Sequence, residues 1–225
     1  MSAAGEQRDA WIAAIKAVAA DRGLTYEEVG GIHPRDAPPA LCPGGSNRLT
    51  GELAPGFWGA SCDAGEREVG GFFSKAVLPE SLLVKAHTPD LTSVVPAFDV
   101  ESIEATPDEQ LRRRSRKRVQ FESIDFNKRF IATVPSDHDP IALRELFSPA
   151  FLEWTTTMDR EVDFGASDQQ MYFSWHLREL SRDELELALK NAGQLFGRIR
   201  AELEEGGDRT YATGPWYAGL EPFPA

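Results

Sequence analysis

Residues 119–134 read VQFESIDFNKRFIATV, and the spacing of the apolar positions in this stretch decides what kind of fold the chain builds. Val119, Phe121 and Ser123 alternate, so they share one face of a strand. Asp125-Phe126-Asn127 follows, with residues that tolerate a bend or turn. Phe126, Phe130, Ala132 and Val134 keep an even spacing, which predicts a second strand with its rings pointing one way. Lys128 and Arg129 are more easily solvated than buried. No nucleophile and base stand together here, so the stretch reads as the anchor of a sheet, not as a site.

Upstream, residues 48–134 continue in the same style. RLTGEL, FWGASCD, REVGGFFSKAVL, SLLVKAH and VVPAFDVESIE are short β-rich runs. Turn signals separate them at Ala54-Pro55-Gly56, Asp63-Ala64-Gly65, Leu78-Pro79 and Thr88-Pro89-Asp90. Such connections are too short for helical crossovers, so antiparallel neighbours are expected. Before this core, Trp11, Ile12, Ile15, Val18 and Ala19 recur at helical spacing and predict a helix over 8–22, stopped by Gly23. Thr25 and Glu28 suggest a capping box for a short turn. HPRDAPPALCPGGSN reads as a loop.

The part from 139 to 205 turns helical again. Asp139-Pro140 suits an N-cap and first helical position, giving a helix through Leu146, and Ser148-Pro149 repeats that grammar for a second one through Met158. DQQMYFSWH alternates as a strand. Ser181 and Glu184 form a capping box for the longest helix, whose Leu185, Ala188, Leu189, Ala192, Leu195, Phe196, Ile199 and Leu203 fall on one face, with Gly206-Gly207 ending it. The tail, 208–225, is aromatic and rich in Pro and Gly. It suits either a strap on its own domain or an arm docking on another subunit. The expectation is one α+β domain spanning 1–225: an antiparallel β-sheet, an N-terminal helix, and a long helix near the C-terminus packed on the sheet.

Some segments in this frame share a motif. Glu122-Ser123, Phe126-Asn127 and Phe130, followed by Phe147-Ser148-Pro149-Ala150-Phe151, resemble the paired signature of the bacterial domain-of-unknown-function family numbered 3137. Gly71-Phe72-Phe73 resembles that family's Gly/Phe-containing strand, and DQQMYFSWH sits where the family has the strand ending its core. The likeness covers residues 50 to 200. Members often carry apolar membrane segments near the N-terminus, and this chain shows none. The resemblance implies no activity and no catalytic residue.

Totals narrow the function classes. The chain has 225 residues, 41% hydrophobic, which suits a globular domain with a real core. A net charge of −12 disfavours a general nucleic-acid binder. Cys42 and Cys62 are too few for a disulfide framework and read as reduced thiols. The start lacks the pattern of a signal peptide, and no window reaches about 18 consecutive apolar residues. A soluble cytoplasmic protein is expected.

The sharpest local feature is RRRSRKR, with Arg112, Arg113, Arg114, Arg116, Lys117 and Arg118 supplying six of the 24 basic residues. It suits phosphate, an anionic membrane surface or an acidic partner. It equally suits a solvated linker facing the acidic run Glu101 to Glu109, since no aromatic residue is interleaved for stacking. Asp137-His138-Asp139 looks like a cluster, but neighbours in sequence rarely converge on one atom, and Asp139 already suits a helix cap. His33, His87 and His176 lack paired spacing, so neither metal nor cofactor is expected. Glu27-Glu28 and Glu204-Glu205 read as solvated surface. CPGGSN lacks the lysine and helix of a phosphate loop, and Ser61-Cys62 lacks a nucleophile-elbow context. These readings favour a non-enzymatic binding or interaction module with a protein partner or self-association. A lipid-reading surface module is the second option. A hydrolase-like enzyme using Asp137, His138 or Cys62 is the third.

Overall fold

The computed structural model describes residues 3–28, 47–54, 57–71, 74–87, 95–103, 116–158, 162–167, 170–176, 179 and 181–205. In chain order the elements begin with α1 (Ala3–Arg22), β1 (Thr25–Glu27), β2 (Arg48–Thr50), β3 (Glu52–Ala54), β4 (Phe57–Gly71), β5 (Ser74–His87) and β6 (Phe98–Ser102). They continue with β7 (Arg116–Val119), α2 (Ile124–Arg129), β8 (Phe130–Pro135), α3 (Pro140–Leu146) and α4 (Pro149–Thr156). The last are β9 (Val162–Ser167), β10 (Gln170–His176) and α5 (Arg182–Glu205). The architecture is α+β with antiparallel strand pairing, an N-terminal helix and a long C-terminal helix packed on the sheet. Contacts group the described residues into two compact units, Met1–His87 with Tyr172–Leu195, and Thr88–Met171 with the stretch from Phe196. Gly206-Gly207 and the tail 208–225 lie outside the described residues.

In the first unit the strands hydrogen-bond in the order β1-β2-β4-β5-β10, with β3 beside β4. α1 starts earlier than the expected residue 8 and buries Trp11, Ile15, Val18 and Ala19. Its end follows the expected glycine logic. Gly23 takes a φ of 66°, its N–H donates to Ala20 O (3.3 Å), and the Leu24 N–H donates to Ala19 O (2.8 Å). That pair of bonds is a Schellman cap, with Leu24 buried beside it. Thr25 does not open a turn as expected. Residues 25–27 pair with 48–50 as a strand, because Tyr26 gains a bond from its hydroxyl to Asn47 Oδ1 (2.9 Å) that a helical turn would forgo. Burial first, and then the negative charge of Glu28, raise the Tyr26 phenol above its ordinary value.

FWGASCD, REVGGFFSKAVL and SLLVKAH, expected as three separate short strands, fall in two long ones, β4 and β5. Asp63-Ala64-Gly65 lies within β4 and Leu78-Pro79 within β5. The turn residues are absorbed instead as irregularity, since the β4–β5 register shifts between Trp58 and Ser61 and again between Ala64 and Glu66. Bulges are where an extended pair accommodates Gly and Pro without ending. In α5, the Glu184 N–H donates to Ser181 Oγ (3.2 Å), as the capping box predicts. The Glu184 carboxylate is buried and accepts from Trp175 Nε1 (3.2 Å), which ties the helix start to β10. All eight apolar positions expected on one face of α5 are buried.

In the second unit the order is β9-β6-β8-β7, each pair antiparallel. Here the opening stretch departs from its reading. The strand ends at Val119, not at Ser123, and Asp125-Phe126-Asn127 forms a helix, not a bend. Ser123 decides this: its Oγ accepts from Phe126 N (3.2 Å) and its carbonyl from Asn127 N (3.1 Å), so the chain is capped into α2. Phe126 still meets Phe130, with ring centroids 5.2 Å apart, and Phe130, Ala132 and Val134 are buried along β8 as expected. Lys128 is solvated. Arg129 is not: it is half-buried and donates to Thr156 O (2.5 Å) and to Met158 O, carbonyls at the end of α4.

α3 and α4 begin where the sequence puts them. Asp139 Oδ1 accepts from Ile141 N (2.9 Å), and Ser148 Oγ accepts from Phe151 N (3.1 Å). Ser148 also donates to Glu202, from Oγ to Oε1 (2.7 Å) and from N to Oε2 (3.1 Å). Phe147 then stacks on Phe151 (centroids 4.4 Å apart) and on Phe121 (5.7 Å), and meets Phe98 edge-on (5.2 Å). β9, unmarked in the sequence reading, adds Phe164 to this cluster.

Phe147→Ala is expected to cost about 3–5 kcal/mol, the range for deleting a buried ring, and guanidinium unfolding measures it. Ser148→Ala should cost about 1–2 kcal/mol through the lost cap and the stranded Glu202. A double-mutant cycle with Glu202→Gln should be clearly non-additive; additive costs would show that the bond to Glu202 is not a stabilising link.

Candidate functional site

The same segment that closes the core also lines a groove in the second unit. Gln120, Phe121, Glu122, Ser123 and Asp125 make one wall; Arg144 and Phe147, then Pro149, Leu152, Glu153 and Thr156, make the other. Its volume is about 830 Å³, on the scale of a ligand-binding cleft. The floor is apolar, because Phe121, Phe147 and Leu152 are the buried members of the lining. The rim is charged and exposed, with the carboxylates of Glu122, Asp125 and Glu153 against one guanidinium, Arg144. Ile124, between two lining residues, leaves 69% of its surface exposed.

Local chemistry holds the walls. The Asn127 side chain clamps the Phe121 backbone in both senses, with Phe121 N donating to Oδ1 (3.2 Å) and Nδ2 donating to Phe121 O (2.6 Å). This amide takes over the backbone pairing that Phe121 loses where β7 ends. On the opposite wall, Pro149, Leu152, Glu153 and Thr156 recur at steps of three and four, so one face of α4 runs along the groove. Ser148 and Arg129 fix the two ends of that helix.

The described part of the basic run, Arg116, Lys117 and Arg118, does not line this groove. Arg112, Arg113 and Arg114 are outside the described residues. Arg116, Lys117 and Arg118 are not a linker: they form β7, paired with Pro135, Val134 and Thr133 of β8. Arg116 is drawn inward. It pairs with Asp99 (2.8 Å) and donates to Thr133 Oγ1 (2.9 Å) and Thr133 O (3.3 Å). Lys117 Nζ donates to His138 O (3.2 Å), while Arg118 is exposed. β7 ends the strand order of this unit, and charged side chains on an end strand discourage pairing with a further chain.

Among the described residues, none of the other sequence candidates lines the groove. Asp139 caps α3, the His138 N–H donates to Pro135 O (3.0 Å) in a turn, and Asp137 is exposed. Cys62 lies in β4 opposite Leu49 and Val84. His87 and His176 end β5 and β10, and Cys42 and His33 are outside the described residues. Among the described residues, no group of three His, Cys, Asp or Glu side chains is placed to hold a metal ion, and no helix is long and apolar enough to cross a membrane.

Sequence reasoning missed the groove because its walls are distant in the chain. The only local hint is that Phe121 and Phe147 each precede a capping serine, Ser123 and Ser148, so each ring is held at the entrance of a helix. No family model matches the chain, and no curated protein or solved structure matches it either.

Two residues of β7, Arg116 and Arg118, make opposite predictions. Arg116→Ala removes the half-buried ion pair with Asp99 and two hydrogen bonds to Thr133, and is expected to lower stability by about 1–3 kcal/mol. Arg118→Ala should stay within about 0.5 kcal/mol of the parent. Equal losses in chemical denaturation would show that the Arg116 pair is not a structural contact.

Proposed function

We propose that this chain is a non-enzymatic binding module, working in the cytoplasm, that receives a protein partner in the groove between the 120–125 segment and α4. The observation that carries this is the clamped apolar floor. Phe121 is held from both sides by Asn127, and Phe147 is stacked between Phe121 and Phe151, so apolar surface is presented on a rigid frame. A surface ordered before binding loses less conformational freedom when a partner arrives, and affinity gains accordingly. The two cysteines, read as reduced thiols, support the compartment.

The anionic-membrane reading ranks second, because it needs the basic run free to face a bilayer. Arg116 is engaged with Asp99 and Thr133, and Lys117 with His138. That leaves the reading to Arg118 and the preceding Arg112, Arg113 and Arg114.

A photoreactive benzoyl-phenylalanine at Glu153 tests the groove. It should cross-link a defined partner in cells, and the purified pair should then re-form with the parent chain. The same probe at Leu187, exposed on α5, should give no such adduct. Thr156→Trp, which fills the groove from a half-exposed position, should abolish capture, whereas Thr156→Ala should preserve it. Adducts that persist in Thr156→Trp would place the partner elsewhere.

A further inference from the structure

Resting on the groove reading, we infer that its occupant is a cationic protein segment: a short extended stretch with one apolar side chain flanked by lysine or arginine. The lining sets each part of this. The buried floor of Phe121, Phe147 and Leu152 rewards one apolar or aromatic side chain, and exposed Ile124 extends that surface at the lip. The face of α4 from Pro149 to Thr156 is about 10 Å long at 1.5 Å per residue. An extended segment covers that length with roughly three residues at 3.3 Å each.

Charge selects what flanks the anchor. Glu122 and Asp125 stand on one wall and Glu153 on the other, all exposed, so cationic side chains on either side of the anchor meet a carboxylate on either side of the groove. Arg144 offsets only part of this negative charge. Asp125 has Lys128 at 3.9 Å, but with both side chains largely exposed that pair is weak and readily exchanged for a partner's cation. The net charge of −12 acts in the same direction over longer range, drawing cationic partners in and repelling acidic ones. The same charge opposes a second copy of this chain as occupant.

The test uses the full chain and fluorescein-labelled short peptides carrying a central Trp flanked by Arg, with Glu-for-Arg and Gly-for-Trp counterparts, read by anisotropy. The Arg–Trp peptide should bind about tenfold or more tighter than either counterpart, and weaken severalfold between about 50 mM and about 300 mM NaCl. Joint replacement Glu122→Gln, Asp125→Asn and Glu153→Gln should weaken it about tenfold with the thermal midpoint unchanged, and Thr156→Trp should abolish it. Equal binding of the Arg and Glu peptides, still blocked by Thr156→Trp, would overturn the cationic partner and keep the groove. Binding indifferent to Thr156→Trp would overturn both. Absence of binding by every peptide, with concentration-dependent dimerisation that Thr156→Trp removes, would assign the groove to a second copy and overturn the proposal.

Discussion

Phe147 is held between two rings from different parts of the chain, and the second unit is organised around that stack. Phe151 lies one helical turn ahead of it and Phe121 comes from the segment after β7. Phe98 and Phe164 bring the edges of β6 and β9 against the same cluster. Aromatic pairs in these offset and edge-on arrangements add about 0.5–1.5 kcal/mol each beyond the area they bury. The larger effect is geometric. A strand end, a short helix and two capped helices must all deliver a ring to one place, and each cap fixes the direction of delivery. The outer surface of that cluster is the groove floor, so the groove inherits the rigidity of the core.

Much of this was legible residue by residue. Asp139-Pro140 and Ser148-Pro149 announce helix starts because each motif satisfies an N-cap donor while wasting no N–H at the first helical position. The face of α5 was legible because its apolar residues repeat at steps only a helix can reconcile. Misreadings arose where two local grammars fit the same letters. Ser123 extends the alternation of Val119 and Phe121, but it is also a capping residue, and the cap prevails because it satisfies backbone donors at the start of α2. Asp63-Ala64-Gly65 and Leu78-Pro79 spell turns, yet antiparallel pairing across β4 and β5 takes them in as register shifts. The groove was legible only in the capping serines Ser123 and Ser148 that follow its two floor rings. Its walls are set by how Asn127 clamps Phe121 and by which face of α4 turns outward, and neither is written in a local period.

The basic run shows how charge density misleads without a backbone to place it. Seven successive positions carry six cations, which reads as a single patch. On a strand, though, successive side chains leave opposite faces, which separates Lys117 from Arg116 and Arg118. Arg116 turns to Asp99 and Thr133, Lys117 reaches the turn at His138, and Arg118 faces solvent. One run therefore divides into a half-buried ion pair, a tether and a solvated cation, each with a separate physical role.

Charge at the groove has a different relation to the fold. Among the described residues, no hydrogen bond or ion pair engages the side chains of Glu122 or Glu153, and the contact of Asp125 with Lys128 is long and exposed. Surface carboxylates in such positions contribute little to stability. The floor is the reverse case, because Phe121 and Phe147 cannot be altered without disturbing the stack that organises the unit. Recognition in this groove therefore rests on two kinds of residue. The aromatic floor is tied to folding and can vary only with it. The acidic rim is free of the fold, so its charge can be changed while the surface beneath it stays in place.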